Sequence, residues 1–200
     1  MSFGMYLNIE VLALKIINKN IMQMTDSNHK TDEYGFEVCD ERLFENNLEH
    51  GWIVVVMLIN YIESLINTIL RDCVQYKGEK LMKSSLEDKL EIIHMFYKKD
   101  IQILKGNNLW NIFKTVTRIR NELIHYKNNF IGDSGVGITN VVIGKTSLVE
   151  IFTKEKMNEI SNNFLEFSKL LVYNLGLNIN ENAYLFDCDG RDNLVSYVYE

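Results

Sequence analysis

Apolar residues recur at helical spacing through most of the chain. Over residues 5–24 they fall at Leu7, Val11, Leu14, Ile17 and Ile21, the rhythm of an amphipathic helix. The polar stretch 25–35 that follows has the composition of a mobile connection. A second helical pattern spans 37–77, with Leu48, Ile53, Met57, Ile62, Leu65 and Ile69 on its apolar side; Gly51 is a point where it could kink, and Gly78 is its stop. Ser85, followed three residues on by Asp88, heads a third run of Leu86, Leu90, Ile93, Met95 and Phe96 that should end near Lys105 and Gly106. Asn108 can cap a fourth helix over 109–129, closed by Asn128, Asn129 and the glycine-rich loop 132–137.

Beyond that loop the period changes. Residues 138–143 and 148–152 are short and β-branched around Gly144 and Lys145, which predicts a small hairpin inserted between helices. Thr153 then caps a fifth helix carrying Met157, Ile160, Phe164, Phe167 and Leu171, with Gly176 at its end. The tail 183–199 turns at Asp189 and Gly190 like a second hairpin. The expected architecture is mainly α, one domain over 1–200. It divides into an N-terminal helix and connection (1–35), a helical core (36–176) and a tail with a possible hairpin (177–200).

Composition narrows the function classes. Hydrophobic residues make up 46% and charged residues 24% of the chain, with a mean hydropathy of -0.10, values ordinary for a folded, water-soluble domain. Proline is absent, so nothing interrupts long helices. The net charge of -6 argues against a duplex-DNA binder that displaces counterions with a coat of Lys and Arg, so any nucleic-acid site must be local. Cys39, Cys73 and Cys188 are widely spaced and form no CxxC pair, which fits a reducing cytoplasm and signals neither a disulfide framework nor a zinc site. The N-terminus lacks a basic leader region, and the longest apolar run, 52–59, is too short to span a bilayer. The expectation is therefore a cytoplasmic protein without membrane contact.

The candidate chemistry sits on the fourth helix. At roughly 100° per residue, Ile112, Val116, Ile119, Leu123 and Tyr126 form one stripe, widened by Leu109, Phe113 and Ile124. Arg120 falls inside the widened apolar sector, whereas Arg118, Asn121 and His125 share the opposite face with Glu122 at its edge. A guanidinium in an apolar sector needs a partner. The structural candidate is Glu63, which interrupts the apolar run of the second helix. Taken alone, His125 is most simply a surface or capping histidine.

The run Arg120-Asn121-Glu122-Leu123-Ile124-His125 resembles the R-x4-6-H signature of HEPN domains, including the polar Asn after the Arg. Two flanking segments resemble prokaryotic defence members of that family: the acid-bearing upstream stretch Asn60-Tyr61-Ile62-Glu63-Ser64-Leu65 and the aromatic lead-in Leu109-Trp110-Asn111-Ile112-Phe113. The likeness covers about 36–176 as an architecture, but only the motif is specific. It implies an antiparallel helical bundle, with small β-hairpin insertions near the C-terminus, and metal-independent endoribonuclease chemistry in a cleft between two protomers. Arg120, Asn121 and His125 would be catalytic and Glu63, Glu122 and Arg118 supporting, with no cofactor and no metal. RNA would be the substrate, a homodimer the working unit and a nucleotidyltransferase-type antitoxin a candidate partner. Alternatives from other classes are a non-catalytic HEPN module that binds RNA, a nucleotide or a protein, and a structural helical dimer with Arg120 in a buried ion pair.

The residue types suit phosphodiester cleavage. An imidazole of pKa near 6.5 can take a proton from a ribose 2′-OH or give one to the leaving 5′-oxygen. A guanidinium can stabilise the added charge on the phosphorane, and Asn121 can hold the phosphate or orient the imidazole. On a helix, Arg120 and His125 are separated by roughly 140° and 7.5 Å, so convergence on one phosphate calls for two helices.

Three other signals are weaker. Gly132–Gly137 lacks the lysine of a phosphate loop, and Gly144-Lys145-Thr146 lacks its first glycine. Asp187, Asp189 and Asp192 do not match a calcium loop. His29, His50 and His94 lie in separate segments without ligand spacing, so each is expected to be structural or solvated.

Overall fold

A computed structural model describes residues 3–7, 9–73, 81, 83–124, 142–143, 146–177 and 195–199. Its elements, in order, are β1 (Phe3–Leu7), α1 (Ile9–Gln23), β2 (His29–Thr31), β3 (Glu37–Cys39), α2 (Glu41–Thr68), α3 (Leu86–Phe96), α4 (Gln102–Lys105), α5 (Asn108–Ile124), β4 (Val142–Ile143), β5 (Thr146–Ser147), α6 (Leu148–Ile151), α7 (Lys154–Leu175) and β6 (Val195–Tyr199). The protein is mainly helical, as its patterning predicts.

The longest helix, α2, is the central one, and α1, α3, α5 and α7 all pack on it. Asp40 starts it from extended backbone, its carboxylate accepting from the N–H groups of Arg42 and Leu43 at 3.0 and 3.2 Å. Lys30 closes on the same carboxylate at 2.7 Å and, as the leading cause, holds its pKa below the usual aspartate value. One face of α2 buries Val54, Val55, Leu58, Ile62, Leu65 and Ile66, and the helix continues into a π-helical turn, Ile69–Cys73. By length and composition Glu41–Arg71 could cross a membrane, but 56% of its most apolar window is buried inside this fold. A single core runs from Ala13 of α1 to Leu175 of α7, so the N-terminal helix belongs to the same packing unit as the rest.

Caps set several boundaries. Ser85 and Asp88 form a reciprocal capping box at the head of α3, Thr153 accepts from Lys156 N–H at 3.3 Å, and Gly176 closes α7 with a left-handed φ of 71°. These three follow the sequence expectation.

Elsewhere the structure departs from it. The first predicted helix begins only at Ile9; Phe3–Leu7 is a strand, pairing antiparallel with Val195–Tyr199 in the register Phe3↔Tyr199 to Leu7↔Val195. The end of the tail thus finds its partner at the N-terminus, while the predicted turn at Asp189 and Gly190 lies outside the described residues. The stretch read as a mobile connection is organised. His29–Thr31 pairs with Glu37–Cys39, and the fully buried Asn28 donates to the carbonyls of Val149 and Phe152 while its own Oδ1 accepts from Asn47 at 2.8 Å. The second helix correspondingly starts at Glu41, after a strand. The third run is split: α3 ends at Phe96, Lys98 takes a positive φ of 52°, and a short α4 follows. The cap of the fourth helix is Asn107, which accepts from Leu109 N–H at 2.9 Å. The inserted hairpin pairs Val142–Ile143 with Thr146–Ser147, whereas the predicted second arm, 148–152, is not a strand, because Leu148–Ile151 is helical. Gly51 produces no break in α2. It gives room instead, since a Cβ there would meet the Phe152 ring at 2.8 Å.

Candidate functional site

The rotation of α5 decides which of its side chains meet solvent. Trp110, Phe113, Val116, Ile119 and Leu123 are buried. Phe113 stacks on Phe167 of α7, with ring centroids 4.9 Å apart and planes 13° from parallel, and Trp110 lies 5.1 Å from Phe113. Burial of each such ring stabilises by about 2 kcal/mol or more, so the aromatic contact locks α5 about its axis. With that face turned inward, Arg118, Asn121 and Glu122 are exposed and Arg120 is half-buried at the edge of the core.

Phe113, Thr117, Arg120 and Asn121 follow one another along a stripe of α5 and line an open cavity of about 320 Å³. Ile59 and Glu63 of α2 form a second wall, one helical turn apart, and Ser84, Ser85, Leu86 and Glu87 at the head of α3 form the third. Arg120, Asn121 and Glu63 are thus brought to one place. Arg118 and Glu122 do not line this cavity. His125, Tyr126, the loop 132–137 and the acids of the tail lie outside the described residues.

The ion pairing differs from the expectation. Glu63 is held by Lys89, whose side chain is 0% exposed and whose Nζ lies 3.0 Å from Glu63 Oε1. Arg120 has no ion pair among the described residues. Its Nη1 donates to Asn121 Oδ1 at 3.0 Å, and its Nε is buried with no hydrogen-bond partner among them. The other carboxylate of the wall, Glu87, is paired with Lys114 of α5. Among the described residues, Arg120 is therefore the cavity's uncommitted positive charge. Such a group has unused capacity for an anion, in the planar fork geometry that suits phosphate.

Of the two apolar residues that flank Arg120 in the widened sector, Phe113 is fully buried. Ile124, 45% exposed, is the part of that flank that meets solvent. Lys89, Thr117 and the Ser84–Glu87 wall were missed in the sequence. Lys89 did carry a signal: it lies three residues from Leu86 and four from Ile93, on the apolar stripe of α3, where a lysine needs a carboxylate.

Two of the remaining histidines serve the fold. His94, 1% exposed, donates from Nδ1 to the Leu90 carbonyl at 2.7 Å and accepts at Nε2 from the Asn174 amide at 3.1 Å. Burial, the leading cause, pushes its pKa below the usual histidine value. His50 bonds Asn20 Oδ1 at 2.9 Å. Among the described residues no group of three or more His, Cys, Asp or Glu is placed to hold a metal ion.

Comparison of the chain with protein-family models, with curated proteins and with solved structures found no match.

Proposed function

We propose that the chain is a metal-independent endoribonuclease of HEPN type, with an antiparallel bundle of that family as its scaffold. Its natural setting is the cytoplasm, as toxin or effector of a toxin–antitoxin or phage-defence system. The observation that carries this reading is the state of Arg120. The acid that would tie it to the fold, Glu63, is taken by Lys89, and Arg120 stands beside Asn121 on an open cavity with no ion pair among the described residues. That speaks against a merely structural arginine and in favour of the motif read in the sequence.

In this reading a general base, His125 or its counterpart across a dimer, takes the proton of the 2′-OH. The 2′-oxygen attacks phosphorus, the 5′-oxygen leaves with a proton from the general acid, and a 2′,3′-cyclic phosphate remains. Arg120 stabilises the charge that develops on the phosphorane oxygens, and Asn121 keeps the guanidinium in place. The second reading, a non-catalytic HEPN module, is favoured by one observation: the cavity, about 320 Å³, falls at the small end of the range for ligand pockets.

Incubating purified protein with RNA in excess EDTA separates the two. The nuclease reading expects cleavage with cyclic-phosphate or 3′-phosphate ends, lost in His125→Ala. Intact RNA, or cleavage that needs added Mg²⁺, overturns it. Sedimentation at tens of micromolar tests the homodimer.

A further inference from the structure

We infer that the cavity beside Arg120 is a nucleotide subsite in which Glu63 selects the base, with guanine as its preferred occupant. The inference takes its ligand class from the ribonuclease reading and rests beyond that on chemical complementarity.

The cavity has two chemically opposite ends. On α5 it offers donors, the Arg120 guanidinium and the exposed Asn121. These suit a phosphate. On α2 it offers an acceptor. Lys89 engages Oε1 of Glu63, Oε2 has no partner among the described residues, and the side chain is 39% exposed. The Lys89 ammonium, fully shielded from solvent, restricts where the Glu63 head can go. A carboxylate is an acceptor with no donor to offer.

That one-sidedness discriminates among bases. The guanine edge presents N1–H and the N2 amino group side by side, two adjacent donors that match a carboxylate. Adenine and cytosine set an acceptor nitrogen beside their amino donor, and uracil flanks its single N–H with two carbonyl oxygens. Each of these three would bring an acceptor toward the carboxylate, and an unpaired, desolvated acceptor is where discrimination arises. Glu63 is thus a specificity residue rather than a catalytic one, and Lys89 positions it.

Binding of the four nucleoside 3′-monophosphates to the full chain, measured by calorimetry at one ionic strength, tests this. Wild type is expected to bind the guanosine nucleotide at least about tenfold more tightly than the uridine one, a difference of about 1.4 kcal/mol. Arg120→Gln should weaken all four alike. Glu63→Gln should remove the preference. Since the neutral amide would face a buried ammonium and that variant could fail to fold, Glu63→Gln with Lys89→Met serves as the second test, checked by its melting curve. Equal affinities in wild type, no measurable binding of any nucleotide, or a guanine preference that survives in the folded double variant each overturn the inference. RNA cleavage assayed on the same preparation keeps the two proposals apart. Cleavage without base preference sinks only the subsite, whereas guanine preference without cleavage sinks only the nuclease.

Discussion

The Lys89 ammonium, sealed from solvent, donates to Glu63 Oε1 at 3.0 Å across the packing of α3 on α2. The pair is asymmetric, because the Glu63 side chain is 39% exposed. Removing the carboxylate leaves a buried, uncompensated charge, whereas replacing both partners by apolar residues leaves a hydrophobic contact. Glu63→Ala is therefore expected to cost about 3 kcal/mol in urea denaturation, the lower end of the range for broken buried pairs because water reaches one side. Glu63→Leu combined with Lys89→Met should recover most of that loss. A double variant as unstable as the single one would show that the charge pair is not the cause.

Arg120→Ala should behave differently. With no ion pair among the described residues to break, its stability cost is expected to be below about 1 kcal/mol, near the range of ordinary surface changes. RNA cleavage should nevertheless be lost. His125→Ala should lose general acid–base catalysis, about 10²–10⁴ in rate. If Arg120→Ala unfolds at a much lower urea concentration than wild type, the arginine serves the fold and the site assignment weakens.

Gly51 sets two effects against each other. Alanine in a helix interior gains about 1 kcal/mol over glycine, but the added Cβ would stand 2.8 Å from the ring carbons of Phe152, which is fully buried. Overpacking of this kind costs about 1–3 kcal/mol, so Gly51→Ala should be a net loss of about 1 kcal/mol. Combining it with Phe152→Leu, which trims the ring, should shrink the penalty for the alanine. A stabilised Gly51→Ala in thermal melts would show that Phe152 yields easily.

His94 predicts an acid-labile core. Its folded pKa is lowered, chiefly by burial, so above the unfolded value of about 6.5 both states are neutral and nothing is lost. As pH falls below that value the unfolded chain takes up a proton that the folded one refuses, and stability declines until the folded pKa is reached. The Leu90 carbonyl at Nδ1 and the charge of Asp100 offset the burial only in part, and a protonated Nε2 would have to turn the Asn174 amide round to find an acceptor. Urea midpoints at pH 7.5 and pH 5.5 should differ more in wild type than in His94→Gln. Equal differences would clear His94 of the effect.

The amino-acid pattern alone carried the helical class, the order of the long helices, the N-cap at Ser85, the cap at Thr153 and the stop at Gly176, because each depends on residues within a few positions of one another. It also singled out Arg120 and Asn121, which the fold brings to one cavity with Glu63. It could not say that Phe3–Leu7 would be a strand, since the pairing partner lies at the other end of the chain. Nor could it show that the polar stretch after α1 is pinned by Asn28 and Asn47, whose bonds reach Val149 and Phe152. The partner of Glu63 is the clearest case. Spacing allowed a cation on either of two helices, and what decides between them is the rotation of α5, set by Phe113 stacking on Phe167, together with the burial of Lys89. Local periodicity determines which residues are apolar on one side, but the angle at which those sides meet is a property of the packed core, and that angle gives Glu63 to Lys89 instead of Arg120.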